Sequence, residues 1–203
     1  NSRVAIAEII DGGPLKLAGS RIQPGVVITA SWRARLAEHL GHFTYEIAAQ
    51  PSSAIFDDAR KLAALTSLAA LMEHSFPTHD PHPVMYQAAV EWVRALGADP
   101  LWEMRYVLLE LQLLKELGFG LDLSQCAVTG KRDNLIYISP ASGRAVTREG
   151  AAGYEDKMLG MPCFSSQVAE SLSVTEYFLM RNVFAPHNWA LPDERARLRK
   201  AIN

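Results

Sequence analysis

Cysteine is scarce in this 203-residue chain: Cys126 and Cys163 are the only two. Two thiols cannot build a disulfide framework, so a reducing cytoplasm is the expected compartment. Long apolar runs are missing as well. None reaches the roughly 18 residues that a membrane helix needs, so no membrane partner is expected. The opening stretch NSRVAIAEIIDGG lacks the basic, apolar and small-residue order of a signal peptide. Nor does one sign of charge dominate. A net charge of −2 and a pI near 6.3 exclude a strong overall basic field for nucleic acid and leave only local patches. No internal repeat or low-complexity tract is present. The rest is ordinary for a globular protein, with 49% apolar and 21% charged residues. The length suits one large domain or two small ones, each with a real core.

The chain divides near Pro51. Residues 1–50 predict short strands at VAIAEII, GVVITASW and HFTYEIA, with turns at Asp11-Gly12-Gly13, Pro24-Gly25 and Leu40-Gly41. Such a segment makes a small, incomplete β barrel or sheet. From Pro51 the pattern turns helical. Leu62, Leu65, Leu68, Leu71 and Met72 recur at helical spacing within SAIFDDARKLAALTSLAALMEHSF. A turn with three prolines, 77, 81 and 83, leads to a second helix, VMYQAAVEWVRAL, closed by Gly97. Asp99-Pro100 predicts the start of a third helix, an Asp cap followed by Pro at the first helical position. LWEMRYVLLELQLLKEL is apolar on nearly every face and predicts a central buried helix, stopped by Gly118 and Gly120. A compact irregular region, 122–164, follows, with a short hairpin at LIYIS and RAVTR. Two further helices are expected near 172–185 and 192–202. Pro192 opens the last, and Asp193 and Glu194 in its first turn suit the helix dipole.

No convincing catalytic set emerges, and the chain does not read as an enzyme. Cys126 as a nucleophile would require a base, and His42, His74 and His187 reach it only through the tertiary fold; a small buried apolar role is the simpler one. His74, His79, Asp80 and His82 invite a metal reading, but their gaps are irregular and the prolines fix a turn rather than a helical face. Glu103 and Glu110 lie seven residues apart, about 10 Å along one helix face, with no second acid pair; they predict a charged stripe. In residues 1–50, Arg3, Lys16, Arg21, Arg33 and Arg35 face four acids. Arg33 and Arg35 alternate along a strand beside Trp32, as on β surfaces that bind single strands. Trp32 is open to two roles, stacking a base or filling a core. At the other end, Arg195, Arg197, Arg199 and Lys200 crowd the last helix. They suit the dipole of a helix C-terminus or contact phosphate or an acidic partner.

LLKELGFGLDLSQCAVTG followed by YISPASGRAV resembles the RecO family of recombination mediators, of the proteobacterial kind. IQPGVVITASWRARLAEHLGHFTYE is similar to the end of that family's OB-fold, FPTHDPHPVMYQAAVEWVRAL to its first helical hairpin and NVFAPHNWALPDERARL to its C-terminal helix. The resemblance runs from about residue 20 to the end. It implies an α+β architecture: an incomplete N-terminal OB-fold-like β domain (1–50), then a larger α-helical domain (51–203). That helical domain would carry a small zinc-finger-like knot at 122–164. It implies no catalysis and no cofactor. The implied partners are single- and double-stranded DNA, RecR, and the acidic C-terminal tail of single-stranded DNA-binding protein, the last helping RecA to load onto coated DNA. The implied place is the cytoplasm, at the nucleoid. The alternative is a protein-interaction scaffold without DNA binding.

Three departures from the family pattern bear on these expectations. Many relatives carry four zinc cysteines in two C-x-x-C pairs. Here Cys126 stands alone, Thr129 holds the second position, and the later pair is expected near Val146 and Glu149. One thiolate cannot build a structural zinc site, so a metal-free knot is expected, packed by Leu121, Leu123 and Val128. The family's OB-fold is usually longer than residues 1–50, so a first strand and a basic loop are expected to be missing from this sequence. Third, many relatives have Arg-aromatic-Glu where this chain has Leu108-Leu109-Glu110, and Arg105 lies one turn earlier. The resemblance points to Lys16, Arg21, Trp32, Arg33 and Arg35 for DNA. It points to Arg94, Arg105 and Arg181 as the rim that holds the partner tail.

Overall fold

A computed structural model describes residues 23–33, 42–77, 80–162 and 168–202; at 30–33 and 42–44 it describes the backbone alone. The expected strand VAIAEII lies outside these residues. Strand β1 (Val27–Arg33) pairs antiparallel with β2 (His42–Ala49). The register sets Thr29 opposite Glu46 and Ala30 opposite Tyr45, with an irregularity at Val27/Ile28. Ile28 is buried, and the turn before it, at Gly25, lies against Leu65 and Val93 of the helices that follow.

The expected first helix is in fact two. α1 (Ser53–Phe56) ends at Asp57, and α2 (Ala59–Ser75) starts afresh. Asp58 makes the break. Its carboxylate accepts the N–H groups of Arg60 at 2.9 Å and Lys61 at 3.3 Å, a capping geometry that satisfies two first-turn donors. α3 (Pro83–Leu96) has Pro in its first turn and ends before Gly97, as expected. α4 (Trp102–Glu116) begins later than the Asp99 cap predicts. Asp99 caps the preceding turn instead, accepting the Leu101 N–H at 2.9 Å; the helical ladder opens with Arg105 N–H to the Leu101 carbonyl at 3.1 Å. Its end follows the expected rule. Gly118 takes a φ of 85°, the Gly118 N–H bonds the Lys115 carbonyl, and the Phe119 N–H bonds that of Leu114, a Schellman closure.

The segment after α4 is a small three-stranded antiparallel sheet in the order β4-β3-β5. β3 (Leu135–Ile138) and β4 (Ala145–Thr147) form the expected hairpin. β5 (Leu159–Gly160) adds to the other edge, where two residues gave no periodicity to detect. α5 (Val168–Leu179) runs into a π turn, Met180–Phe184, and a 3-10 turn, Ala185–His187. α6 (Asp193–Ile202) follows Pro192 and packs along α2.

The main core joins one face of each long helix. α2 contributes Leu65, Leu68 and Leu71, α3 Met85, Trp92 and Leu96, α4 Tyr106, Leu113 and Leu114, and α5 Leu172, Phe178 and Leu179. Each such side chain contributes about 1.5–3 kcal/mol by leaving water. Trp92 donates its indole N–H to the Trp102 carbonyl at 3.2 Å, which satisfies the polar end of a buried ring. Ile138, Leu121 and Leu123 attach the small sheet to this core. A second cluster lies inside the sheet segment: Cys126, Val146 and Ala151, with Leu135, Tyr137 and Met158 against them. The local packing expected from Leu121, Leu123 and Val128 is therefore not the observed one. The two leucines belong to the helical core, and Val128 is exposed, because the Cys126–Gly130 turn points it outward.

Candidate nucleic-acid and partner interface

Of the residues expected to meet DNA, Lys16, Arg21 and Arg35 lie outside the described residues. Trp32 and Arg33 lie in β1, opposite Phe43 and His42, with their side chains outside the description. The β1–β2 ladder thus places these two positions at its far end from Val27.

The three rim candidates do not converge through any direct bond. Arg94 is exposed in the last turn of α3. It counters the burial that raises the Tyr86 hydroxyl above its ordinary pKa. Arg105, on the first turns of α4, forms an ion pair with Asp99 at 2.6 Å while more than half of its side chain stays open. Arg181, in the π turn, donates to the Pro140 carbonyl and so ties α5 to the sheet segment.

What sequence reasoning missed lies around Arg105. α4 was expected to be buried on nearly every face, yet Leu101 is 52% and Leu108 46% exposed. Leu101, Arg105, Leu108 and Lys115 follow one another at spacings of four, three and seven, hence along one helix face. Phe119 is exposed where the chain leaves the helix. This gives α4 an open face of apolar anchors with two cations. The signal was present in the spacing but hidden by the helix's high overall apolarity. Leu108 is the position where relatives were expected to carry arginine, and Arg105 lies one turn from it on the same face.

Other candidates are taken up by structure. Glu103 and Glu110 do not act as a pair or share a stripe. Glu103 meets Arg60, whose guanidinium also lies 5.9 Å from the Trp102 ring centre. Glu110 is fully buried and meets Arg195 of α6. The cationic crowd of the last helix is largely neutralised within the fold: Arg195 is buried, Arg197 pairs with Glu194 at 2.6 Å and Arg199 with Glu176 at 2.8 Å. Arg195 consequently offers nothing to phosphate. Burial alone would lower the Arg195 pKa, but the charge of Glu110 beside it overrides this and raises it. Burial, reinforced by Glu110, likewise holds the Tyr106 hydroxyl well above its ordinary range.

Cys126 is buried, and its described partners are Thr129 and Thr147 rather than a histidine. His74 bonds the Ala70 carbonyl, and His187 stacks on Trp189 at 4.7 Å. His82 stacks on Phe76 at 3.8 Å, within 3.5 Å of Glu116 and 3.4 Å of Asp80; His79 lies outside the described residues. Among the described residues no three histidine, cysteine or acidic side chains gather as a metal would require. None of the described helices is long and apolar enough to cross a membrane.

The described residues form a small strand region that leads into a helical unit with an inserted three-stranded sheet. Residues 57–181 match the family described as Recombination protein O C terminal. The chain belongs to the RecO family. It is 38% identical over 203 residues to the DNA repair protein RecO of Caulobacter vibrioides, covering 96% of this chain and 84% of that one. The RecO of Rhodospirillum rubrum is 38% identical over 204 residues, with 93% and 81% covered. That of Cereibacter sphaeroides is 35% identical over 206 residues, with 97% and 85% covered.

Proposed function

We propose that this protein acts in DNA repair and recombination as a mediator. It binds and anneals DNA and, with RecR, helps RecA load onto single strands coated by single-stranded DNA-binding protein. The carrying observation is the likeness to proteins named DNA repair protein RecO, which spans 96% of the chain in one case. In this proposal residues 1–50 form an OB-fold-like DNA-binding domain, and residues 51–203 form the helical partner-binding domain. The protein works in the cytoplasm, at the nucleoid. Lys16, Arg21, Arg33 and Arg35 contact phosphates, which makes binding salt-dependent and indifferent to sequence. Trp32 stacks on a base.

The acidic tail of single-stranded DNA-binding protein docks on the open face of α4. Leu101 and Leu108 supply apolar contact and Arg105 supplies charge, as in helix-face and acidic-motif recognition. Arg94 and Arg181 complete the rim. The test is fluorescence anisotropy with labelled single-stranded DNA and, separately, with labelled acidic tail peptide. The Arg33→Glu/Arg35→Glu variant should lower the single-strand salt slope by at least about 1.4, two contacts at about 0.7 each. An unchanged affinity and slope would remove these residues from the DNA site. Peptide binding without any DNA binding would leave the scaffold role as the surviving one.

A further inference from the structure

The segment between α4 and α5 is built on two tight turns of one design. In the first, Cys126 Sγ accepts the N–H of Thr129, three residues on, at 3.4 Å. In the second, Thr147 Oγ1 accepts the N–H of Gly150, three residues on, at 3.1 Å. The turns face each other. Cys126 Sγ lies 3.5 Å from Thr147 Oγ1 and accepts the Thr147 N–H at 3.3 Å. Gly150 closes the set: a Cβ there would lie 3.1 Å from Cys126 Sγ and 3.2 Å from Thr147 Oγ1. Its φ is not in the left-handed region, so the need for glycine is one of space beside the sulfur, not of backbone conformation. Positions 126, 129, 147 and 150 thus converge in two pairs of x-x spacing. The later pair is one residue beyond the expected Val146 and Glu149. Val146 points instead into the small core, and Glu149 outward to Lys131 at 2.6 Å.

Four side-chain positions in two such pairs make the cage of a four-thiolate zinc site. The residues present do not fit that ion, because one thiol, two hydroxyls and a bare glycine make a poor donor set for it. We infer that the segment is a metal-independent knot, in which hydrogen bonds among Cys126, Thr129 and Thr147, closed over by Gly150, occupy the centre of a cage whose backbone geometry persists. The buried Thr147 N–H needs an acceptor, and the sulfur provides it. Burial pushes the Cys126 thiol up, but the hydroxyls and N–H groups of Thr129 and Thr147 outweigh this and bring its pKa to about 6. Val146, Ala151 and Met158 shield the centre. Outside it, the Lys131–Glu149 ion pair straps one turn to the other. This inference is independent of the proposed function.

The experiment compares the full chain with Thr129→Cys/Thr147→Cys/Gly150→Cys. The native protein should contain substoichiometric metal by elemental analysis and show the same Tm with and without EDTA. The triple variant, refolded with cobalt(II), should take up one equivalent. It should also show sulfur-to-cobalt charge-transfer bands, and its Tm should rise with the metal. Stoichiometric metal in the native protein, or a Tm that falls with EDTA, overturns the inference. So does a folded triple variant that takes up no cobalt. Should the triple variant fail to fold, Thr129→Cys/Thr147→Cys keeps Gly150 and offers three thiols. Cobalt–thiolate bands from it support the cage, and their absence from the folded double variant overturns it.

Discussion

Removing Arg195 should damage this protein more than any other single surface-sequence change suggests, because Arg195 is not on the surface. Its side chain and that of Glu110 are both 0% exposed. The guanidinium donates through Nε and Nη2 to the two Glu110 carboxylate oxygens and through Nη2 to the Leu172 carbonyl at 2.9 Å. Thr175 donates its hydroxyl to the same carboxylate. In Arg195→Met the volume is largely kept, but Glu110 is left as a buried charge with only neutral donors. Breaking a buried pair from one side costs about 3–5 kcal/mol, against a total stability of about 5–15 kcal/mol. In a chain of this size that corresponds to a Tm lower by about 6–20 °C. Glu110→Gln should cost less, since Arg195 keeps the Leu172 carbonyl and lies 3.7 Å from Glu176. The double variant Glu110→Leu/Arg195→Met should recover most of the loss, because neither charge is then stranded. Urea unfolding followed by circular dichroism measures these variants together with Glu110→Leu alone, the single variant that closes the cycle. A cost below about 1 kcal/mol for Arg195→Met, or a double variant as unstable as the sum of its parts, would refute the reasoning.

Three further outcomes are expected. Cys126→Ala should lose stability in a pH-dependent way: a thiol with a depressed folded pKa stabilises the fold above its unfolded pKa, and that contribution fades as pH falls through about 6. The Tm gap between wild type and variant should thus be wider at pH 8.5 than at pH 5.5, and equal gaps would contradict the hydrogen-bonded thiolate. Leu108→Asp should weaken tail-peptide binding at least tenfold in anisotropy while changing stability by no more than about 0.5 kcal/mol, the usual range for an exposed site; unchanged affinity moves the site off α4. Asp58→Ala should lower stability by about 1 kcal/mol in urea, the ordinary value of a lost N-cap, and a neutral result would mean that packing, not the cap, starts α2.

Much of the fold follows from local chemistry. The helix at 83–96 is legible because Pro83 and Gly97 bracket an apolar stripe, and the end of α4 because Gly118 alone tolerates its backbone angle. The hairpin at 135–147 is legible from β-branched residues on either side of a turn. Pairing between distant residues is not legible in this way. Glu110 and Arg195 lie 85 positions apart, and nothing local distinguishes the buried Arg195 from the exposed Arg197 or the half-buried Arg199. Burial is a property of how α6 lies on the other helices.

The open face of α4 shows the same limit from the other side. Leu101, Arg105 and Leu108 sit at helical spacing in the sequence, but which of the helix's apolar faces stays uncovered depends on where α3 and α5 pack. Cys126 marks the same division. Its lone thiol and Thr129 are enough to argue against zinc, since ligand chemistry is local. That its sulfur meets Thr147 and the empty side of Gly150 was decided by the tertiary structure, which folds two turns about twenty residues apart onto one centre. The sequence by itself determined the family, the helical periodicity and the poverty of metal donors. The three-dimensional packing decided which charges are buried, which leucines are free and which residues replace the missing ligands, because those depend on contacts between segments that local spacing does not encode.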